Sequence, residues 1–467
     1  MQNNATVNRL ETQSIGSLLW SYSVPAIVGT MVNATYSVVD RIFIGQGVGA
    51  MAISGLALTL PIMLILQAFG MLIGVGSTSR ISICLGQKNK EHAEKILGNA
   101  LLLTFILSGA AIILSLTYMH PILYAFGGSE ETIPYAEKFL RITIPGSILS
   151  TLSFGFNNMM RASGYPKKAM YTMIIGAAAN VTLAPVFIFC FRWGIEGAAA
   201  ATLISMGIST LWVMRHFTGT HSFLRLKKQY IRLDKTVVWS IISIGMSPFL
   251  MQIAAGMVNV IINTSLKKYG GDLAVGAYGI NCSMGLLLIM FIVGLNQGAQ
   301  PIVGYNYGAK KYDRVLETTK KAIIAASIVA GIGALCAIFI PRLIIRMFTF
   351  DEELIDIASH GLRLMLCAYF VVGFQAVATS FFQCIGMAGK SIFLTLTRQC
   401  LLLVPCLLIL PPACGLDGVW LAQPLSDVLS AVLTAIFLWY QWKKIKGKTK
   451  NEALGTKHED LPSSDVV

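Results

Sequence analysis

The sequence predicts an all-α integral membrane protein, and its composition and its apolar runs support this. Of the 467 residues, 55% are hydrophobic and 12% are charged, and the mean hydropathy of +0.67 is far above that of soluble globular domains. The apolar residues come in runs of roughly 20 to 30, the length that a helix needs to cross a hydrocarbon core of about 30 Å. The alternating pattern of an outer-membrane barrel is missing.

Twelve transmembrane helices follow when these runs are read against the Gly, Pro and charged residues that interrupt them. The polar start MQNNATVNRLETQS lacks the features of a cleavable signal, so we expect the first span to remain in the protein. The predicted spans are 15–45, 52–84, 93–119, 132–162, 167–191, 195–217, 236–266, 273–305, 314–340, 354–385, 389–411 and 417–442. An even number of spans places both termini on one side of the membrane.

The Lys and Arg residues predict which side that is. They concentrate in the loops after the even-numbered spans, as in RLKKQYIRLDK and GAKKYDR, and in the C-terminal stretch WKKIKGKTK. Positive loops stay in the cytoplasm, so both termini are predicted to be cytoplasmic. Topology and attraction to anionic lipids account for the formal charge of +14, and we expect no nucleic-acid partner.

An internal repeat divides the chain into two halves. Sliding the sequence by about 222 residues aligns similar segments, and six spans per half give both halves the same orientation. Three matched pairs are Arg141 with Arg363, Gly164 with Gly386, and Lys168 with Lys390. Such parallel repeats are typical of carriers that rock two bundles about a central site, and the chain has no filter-like motif that would favour a channel.

These observations predict two pseudo-symmetric six-helix bundles. The predicted N-terminal lobe is 1–217, the linker is 218–235, the C-terminal lobe is 236–442, and a polar cytoplasmic tail covers 443–467. We expect the tail to be disordered after Lys450 because it is rich in polar residues.

The stretch YSVVDRIFIGQGVGA places Asp40 inside the outer part of the first span. An acid within a span costs about 2.5 to 3.5 kcal/mol, so we expect it to face protein or water and to have a function such as ion coupling. Asn33, Tyr36 and Asp40 share one helix face. The alternative is a carboxylate that reaches the interface and pairs with Arg41, although neighbours in sequence point about 100° apart. Pro25 gives this helix a place to bend.

Other polar residues are candidates to complete a site in the first half. They are Asn157 and Asn158 in span 4, Asn180 in span 5 and Thr202 in span 6. In the second half, Asn263 occupies the position that matches Asp40, and we find no clear acid within a span. Amides lie there instead: Gln252, Asn259, Asn263, Asn281, Gln375 and Gln383. For each amide the alternative is a hydrogen bond between helices.

The substrate cavity is expected to have polar and soft apolar walls. Its candidates are Asn33, Tyr36, Phe154, Asn157, Gln252, Met257, Asn259, Asn263, Met284, Phe374 and Gln375. The Met and Phe residues have ordinary packing as their alternative. The nine cysteines lack metal spacing and the six histidines do not cluster in sequence, so we expect no enzyme activity and no cofactor.

Several motifs together resemble the multidrug and toxic compound extrusion (MATE) family. They are VVDRIFIGQGVGA, NNMMRASGYPKKAM, NVTLAP and QGAQPIVGYNYGAKKYDRV, and the similarity extends to about Trp442. The resemblance implies export of amphipathic, often cationic drugs coupled to H⁺ or Na⁺. It also implies that Asp40 takes up the coupling ion in a network with Asn180 and Thr202, and that the first span bends at Pro25.

One departure from the family pattern bears on the coupling ion. The family motif often reads N-x-x-x-D-P, whereas here Ala184 stands where the second acid would be. Because hard cations require several oxygen ligands, the sequence favours H⁺ over Na⁺. We expect a monomer in the bacterial inner membrane that contacts lipids and small lipophilic or cationic drugs. The alternative function is a flippase for a lipid-linked precursor, which would require basic residues in the cavity.

Overall fold

A computed structural model describes the backbone of residues 9–126, 128–220 and 222–459, and no strand occurs within those ranges. Eleven helices are long and apolar enough to cross a membrane, and a pair bent by 47° supplies a twelfth span. The spans are α1 Ile15–Gly47, α2 Ala50–Gly86, α3 Lys90–Thr117, α4 Ile133–Ala162, α5 Pro166–Cys190, α6 Gly194–Thr218, α7 Lys235–Gly271, α8 Leu273–Gly308, α9 Tyr312–Phe339, α10 Glu352–Leu366 with Tyr369–Cys384, α11 Ala388–Cys414 and α12 Leu416–Glu459. The predicted fold class and the twelve predicted spans are confirmed.

Some features of the connections and ends were not predicted. Short helices Met119–Ala125 and Pro341–Ile345 follow α3 and α9, and π-helical turns interrupt α5 at Val186–Cys190 and α11 at Thr397–Leu403. The predicted disorder after Lys450 is wrong for residues 451–459, because α12 continues to Glu459. Residues 460–467 lie outside the described part of the chain.

The repeat is visible in the backbone as well as in the sequence. Residues with positive φ recur at a spacing of about 222, or one fewer, where the chain leaves equivalent helices. The pairs are Gly49 with Gly271, Lys88 with Lys310, Gly164 with Gly386, and Gly194 with Gly415. Lys88 and Lys310 both have φ of 59°, a backbone conformation that residues other than glycine rarely adopt. Both halves therefore share one local geometry.

The two lobes, α1–α6 (the N-lobe) and α7–α12 (the C-lobe), meet through close backbone contacts. A Cβ at Gly86 would lie 2.0 Å from the Tyr305 carbonyl oxygen, and one at Gly308 would lie 2.1 Å from the Ile83 carbonyl oxygen. The repeat maps these two contacts onto each other. A Cβ at Gly245 would likewise lie 1.7 Å from the Leu72 carbonyl oxygen. Only glycine permits helices to approach this closely.

The segment just before α1 and the part of α12 around Lys448 both lie at the end of the molecule where these contacts occur, which we call the inner end. Arg314 at the start of α9 donates to the Leu10 carbonyl, and Lys448 near the C-terminus lies over the Tyr312 ring. Further out, the Phe69–Phe249 ring pair and the bond from Thr30 to the Met290 carbonyl also cross between the lobes. The inner halves of the two lobes are therefore in direct contact.

A buried ion pair in the C-lobe corrects the prediction that this half has no acid within a span. Asp427 in α12 is 3% exposed, and its Oδ1 accepts a hydrogen bond of 2.7 Å from Arg398 Nε in α11. Asp427 lies about 17 Å along α12 from its outer end, and Arg398 about 15 Å along α11 from its inner end. The pair therefore lies near mid-membrane, and the opposite charges of Arg398 and Asp427 neutralise each other.

Candidate functional site

Asp40 lies on the side of α1 that faces α5. A Cβ at Gly29 would lie 2.5 Å from Met173 Sδ, and one at Gly47 would lie 2.2 Å from Ile188 Cγ2. These glycines are five full turns apart and share one face, and Asp40 falls within about 20° of that face. The carboxyl group is therefore directed toward α5.

Asn180 on α5 lies at nearly the same height. Helices α1 and α5 run in the same direction, since Gly29 contacts Met173 and Gly47 contacts Ile188. Interpolation between these contacts places Asp40 at the level of about residue 182, roughly half a turn from Asn180. Asn180 is about two turns beyond Met173 and so faces α1 as well.

Thr202 on α6 holds the amide of Asn180 in place. Asn180 is 2% exposed, and its Nδ2 donates to Thr202 Oγ1 at 3.2 Å. The Thr202 hydroxyl in turn donates to the Ala198 carbonyl at 3.0 Å. Asn180 and Thr202 are therefore hydrogen-bonded to each other across α5 and α6.

Two acceptor oxygens in this region lack a donor. Asp40 Oδ1 and Asn180 Oδ1 are both buried without a hydrogen-bond partner, an arrangement that costs free energy for each atom. A proton on Asp40 would convert its carboxyl into a donor for a facing acceptor. Two free oxygens are few for a hard cation, and Ala184 is fully buried in the lobe core.

The cavity candidates fall into two groups. Those with exposed or half-buried side chains are Asn33, Tyr36, Phe154, Gln252, Met257, Asn259, Asn263, Met284 and Phe374. Asn157 and Gln375 are buried inside the lobes, where Asn157 donates to the Ala169 carbonyl at 2.6 Å and Gln375 donates to Ser430. For these two residues the structure matches the alternative of a hydrogen bond between helices. Pro25 lies inside an unbroken α1.

Arg161, in the last turn of α4, is a buried charge. It is 2% exposed and donates from Nη2 to Asn157 Oδ1 and to Asn158 Oδ1, both at 2.7 Å. Its Nη1 donates across the lobes to Gln297 on α8. The stretch NNMMR contains both asparagines that accept from Arg161, but nothing in the sequence points to the bond with Gln297.

Two parallel six-helix lobes, with a half-buried carboxyl group between α1 and α5 of one of them, are typical of a membrane carrier. The MatE family model matches the chain twice, at residues 25–186 and 235–408, once in each lobe. The chain therefore belongs to the MatE family, the multidrug and toxic compound extrusion family.

Relatives and solved structures agree with this assignment over nearly the whole chain. The multidrug export protein MepA of Staphylococcus haemolyticus is 26% identical over 430 residues, 92% of this chain and 94% of that protein. The MepA protein of Staphylococcus aureus strain MSSA476 is 25% identical with the same coverage. An outward-facing multidrug resistance MATE family transporter superposes with a TM-score of 0.89 at 22% identity, covering 94% of this chain and 98% of the other.

Proposed function

We propose that this protein is a secondary active exporter that couples inward movement of H⁺ to outward movement of amphipathic or cationic compounds. The observation that carries the proposal is the pair of unpartnered acceptors, Asp40 Oδ1 and Asn180 Oδ1, on facing sides of α1 and α5. The naming of the similar MepA proteins as multidrug exporters supports the substrate class.

The mechanism we propose is alternating access by rocking of the two lobes. The basic inner end faces the cytoplasm of a bacterial cell, and the chain works as a monomer in the inner membrane. Substrate enters from the cytoplasm or the inner leaflet. Protonation of Asp40 from the outside then closes the α1–α5 contact and expels substrate, and the proton leaves on the inside. For an uncharged compound, one proton moving down 100 mV supplies about 2.3 kcal/mol, enough for a gradient of nearly fiftyfold. Exchange of one proton for one monovalent cation moves no net charge and is driven by the pH gradient, about tenfold per pH unit.

The first test is transport by the purified protein in vesicles with imposed ion gradients. We expect efflux of a fluorescent lipophilic cation to follow a pH gradient at zero Na⁺ and to be unaffected by a Na⁺ gradient at constant pH. Dye efflux driven by a Na⁺ gradient alone would show that Na⁺ and not H⁺ is the coupling ion. If neither gradient moves any of several cationic and zwitterionic dyes, the exporter assignment fails for those substrates.

Thr202→Val tests the support that α6 gives to Asn180. Valine keeps the volume of threonine but removes the only acceptor that the structure gives to Asn180 Nδ2, so a buried donor loses its partner at a cost of about 1 to 3 kcal/mol. We expect a slower initial rate of pH-driven efflux, by about tenfold. The matched control is Thr182→Val on α5, whose exposed hydroxyl bonds only within its own helix, to the Ala178 carbonyl. Equal rates for the two variants would remove Thr202 from the site.

A further inference from the structure

The N-terminal segment before α1 is bound to the opposite lobe. Leu10 is fully buried, and its carbonyl accepts from Asn306 Nδ2 at 3.3 Å and from Arg314 Nη2 at 3.2 Å. Arg314 Nη2 also donates to the Gln13 carbonyl at 2.6 Å. Carbonyls at a helix end lack partners within the helix, so the Arg314 guanidinium of the C-lobe caps the short helical turn that precedes α1.

An ion pair adds to this docking. Glu11 Oε1 lies 2.9 Å from Lys311 Nζ, and Glu11 Oε2 accepts from the Tyr305 hydroxyl at 3.3 Å. The hydrogen bond from Lys311 lowers the pKa of Glu11, which keeps the carboxylate charged near neutral pH. These hydrogen-bond and ion-pair partners lie at the end of α8, at the start of α9 or in the turn between them.

The inner part of α1 continues this contact with the C-lobe. A Cβ at Gly298 would lie 2.5 Å from Ser23 Cα, and one at Gly294 would lie 2.7 Å from Ile27 Cα. From Gly29 outward, the face of α1 that carries Gly29 and Gly47 packs on α5 of its own lobe instead. The change of partner is not complete at Pro25, because Ile27 and Thr30 beyond it still contact α8. Pro25 has no N–H to donate, so the helix lacks one backbone hydrogen bond where this change begins.

The segment before α7 has the same arrangement with the lobes exchanged. Lys227 Nζ lies 2.6 Å from Glu94 Oε2, and the Asp234 backbone N–H donates to Asn99 Oδ1 at 2.7 Å. Both acceptors belong to α3 of the N-lobe, and Glu94 is 2% exposed. A Cβ at Gly98 would also lie 2.2 Å from the Tyr230 carbonyl oxygen.

The inner part of α7 likewise packs on the N-lobe. Gly245 contacts the Leu72 backbone of α2. Two residues later Ser247 bonds to Ser391 at 2.8 Å and to Thr395 at 3.1 Å, both in α11 of its own lobe. Pro248 follows directly. Beyond it the Phe249 ring is still paired with Phe69 of α2, so the change of partner begins at Ser247 and is not complete at Pro248.

We propose that these inner segments are exchanged between the moving bodies. The inner segment of α1, residues 9–24, moves with the C-lobe, and the inner segment of α7, residues 225–246, moves with the N-lobe, with Pro25 and Pro248 as pivots. The inference rests on the proposed alternating access. When the inner end opens, the contacts that separate are those between α2 and α8 and the bond from Arg161 to Gln297.

This arrangement connects the ion site to the lobe movement. The outer part of α1 carries Asp40 against α5 of the N-lobe, while its inner part is bound to the C-lobe through Ser23 and Leu10. A rocking of the lobes therefore bends α1 at Pro25, and a change at the α1–α5 contact acts on both lobes through one helix. If each lobe instead moved as a whole, with boundaries at residues 217 and 236, the contacts of residues 9–14 with the C-lobe would have to break in every transport cycle.

Two cross-links distinguish these alternatives. Cysteines are introduced after replacing the nine native ones, in a background that still transports, and joined by a short bifunctional thiol reagent. One variant is Glu11→Cys with Lys311→Cys, which ties the inner segment of α1 to α9. The control is Gln87→Cys with Lys310→Cys, two exposed positions beside the Gly86–Ala309 contact. For each variant, the efflux rate after cross-linking is compared with the rate of the same variant before cross-linking.

We expect the Glu11–Lys311 cross-link to leave efflux within about twofold and the Gln87–Lys310 cross-link to slow it at least about tenfold. If both cross-links stop transport, the exchanged segments are wrong while alternating access stands. If neither has an effect, the inner end does not open and both proposals fail. The second measurement is the distance between two spin labels at several pH values. The distance between labels at Thr12 and Asp313 should stay constant, whereas the distance between labels at Thr12 and Lys88 should change. A change in the Thr12–Asp313 distance would overturn the inference.

Discussion

Asp40→Asn is expected to abolish export driven by a pH gradient. Asparagine has the size of aspartate but cannot bind and release a proton, so the substrate distribution should fall from the ratio that the pH gradient drives, about tenfold per pH unit for one proton per substrate, to equilibrium. Its amide also supplies a permanent donor toward the unpartnered Asn180 Oδ1. The variant should therefore fold and melt at a temperature no lower than that of the natural protein.

The measurements are accumulation of a lipophilic cation in vesicles and thermal melting in detergent. Thr35→Val is the matched control, because Thr35 is exposed on α1 and its hydroxyl bonds only to the Met31 carbonyl. Its accumulation should equal that of the natural protein. Accumulation by Asp40→Asn that still follows the pH gradient would show that the proton travels by another route.

The sequence predicted most of the fold because membranes restrict it strongly. A helix is the one structure that satisfies its backbone within a single span, so the apolar runs identify α1–α12 directly. The repeat then fixed the relation of the two halves. What the sequence did not predict is the partner of each helix surface: the approach of Gly245 to Leu72 and the docking of Leu10 on Arg314 join segments far apart in the chain.

The site was predictable in its residues but not in its arrangement. Asp40 stands out because a charge inside an apolar run is costly, whereas Asn180 and Thr202 look like any other polar residues in a helix. Their importance depends on the height and direction of α1 against α5, which the contacts of Gly29 and Gly47 establish. Asp427 was missed because its partner Arg398 lies 29 residues earlier, in another helix, and no motif in the sequence links the two.

Breaking the Arg398–Asp427 pair is expected to produce the largest loss of stability. The pair lies near mid-membrane, with Asp427 3% exposed. Removing one partner leaves an uncompensated charge in a low-dielectric interior, which costs about 3 to 5 kcal/mol. We expect Arg398→Met and Asp427→Leu to lower the melting temperature in detergent and the yield of folded protein.

The double variant Arg398→Met with Asp427→Leu separates the cost of a lone charge from the value of the pair. Since replacing a whole buried pair with apolar residues is often neutral or stabilising, we expect the double variant to melt above either single variant. The exposed pair of Arg346 with Glu352, at 2.9 Å, is the matched control, and Arg346→Met should change the melting temperature little because water screens that pair. Single variants of Arg398 and Asp427 that melt like Arg346→Met would mean that the two groups do not form a buried charge pair. A double variant that is stable but transports poorly would instead assign the pair a role in the movement of the C-lobe, because its loss would then affect the transport cycle without affecting the fold.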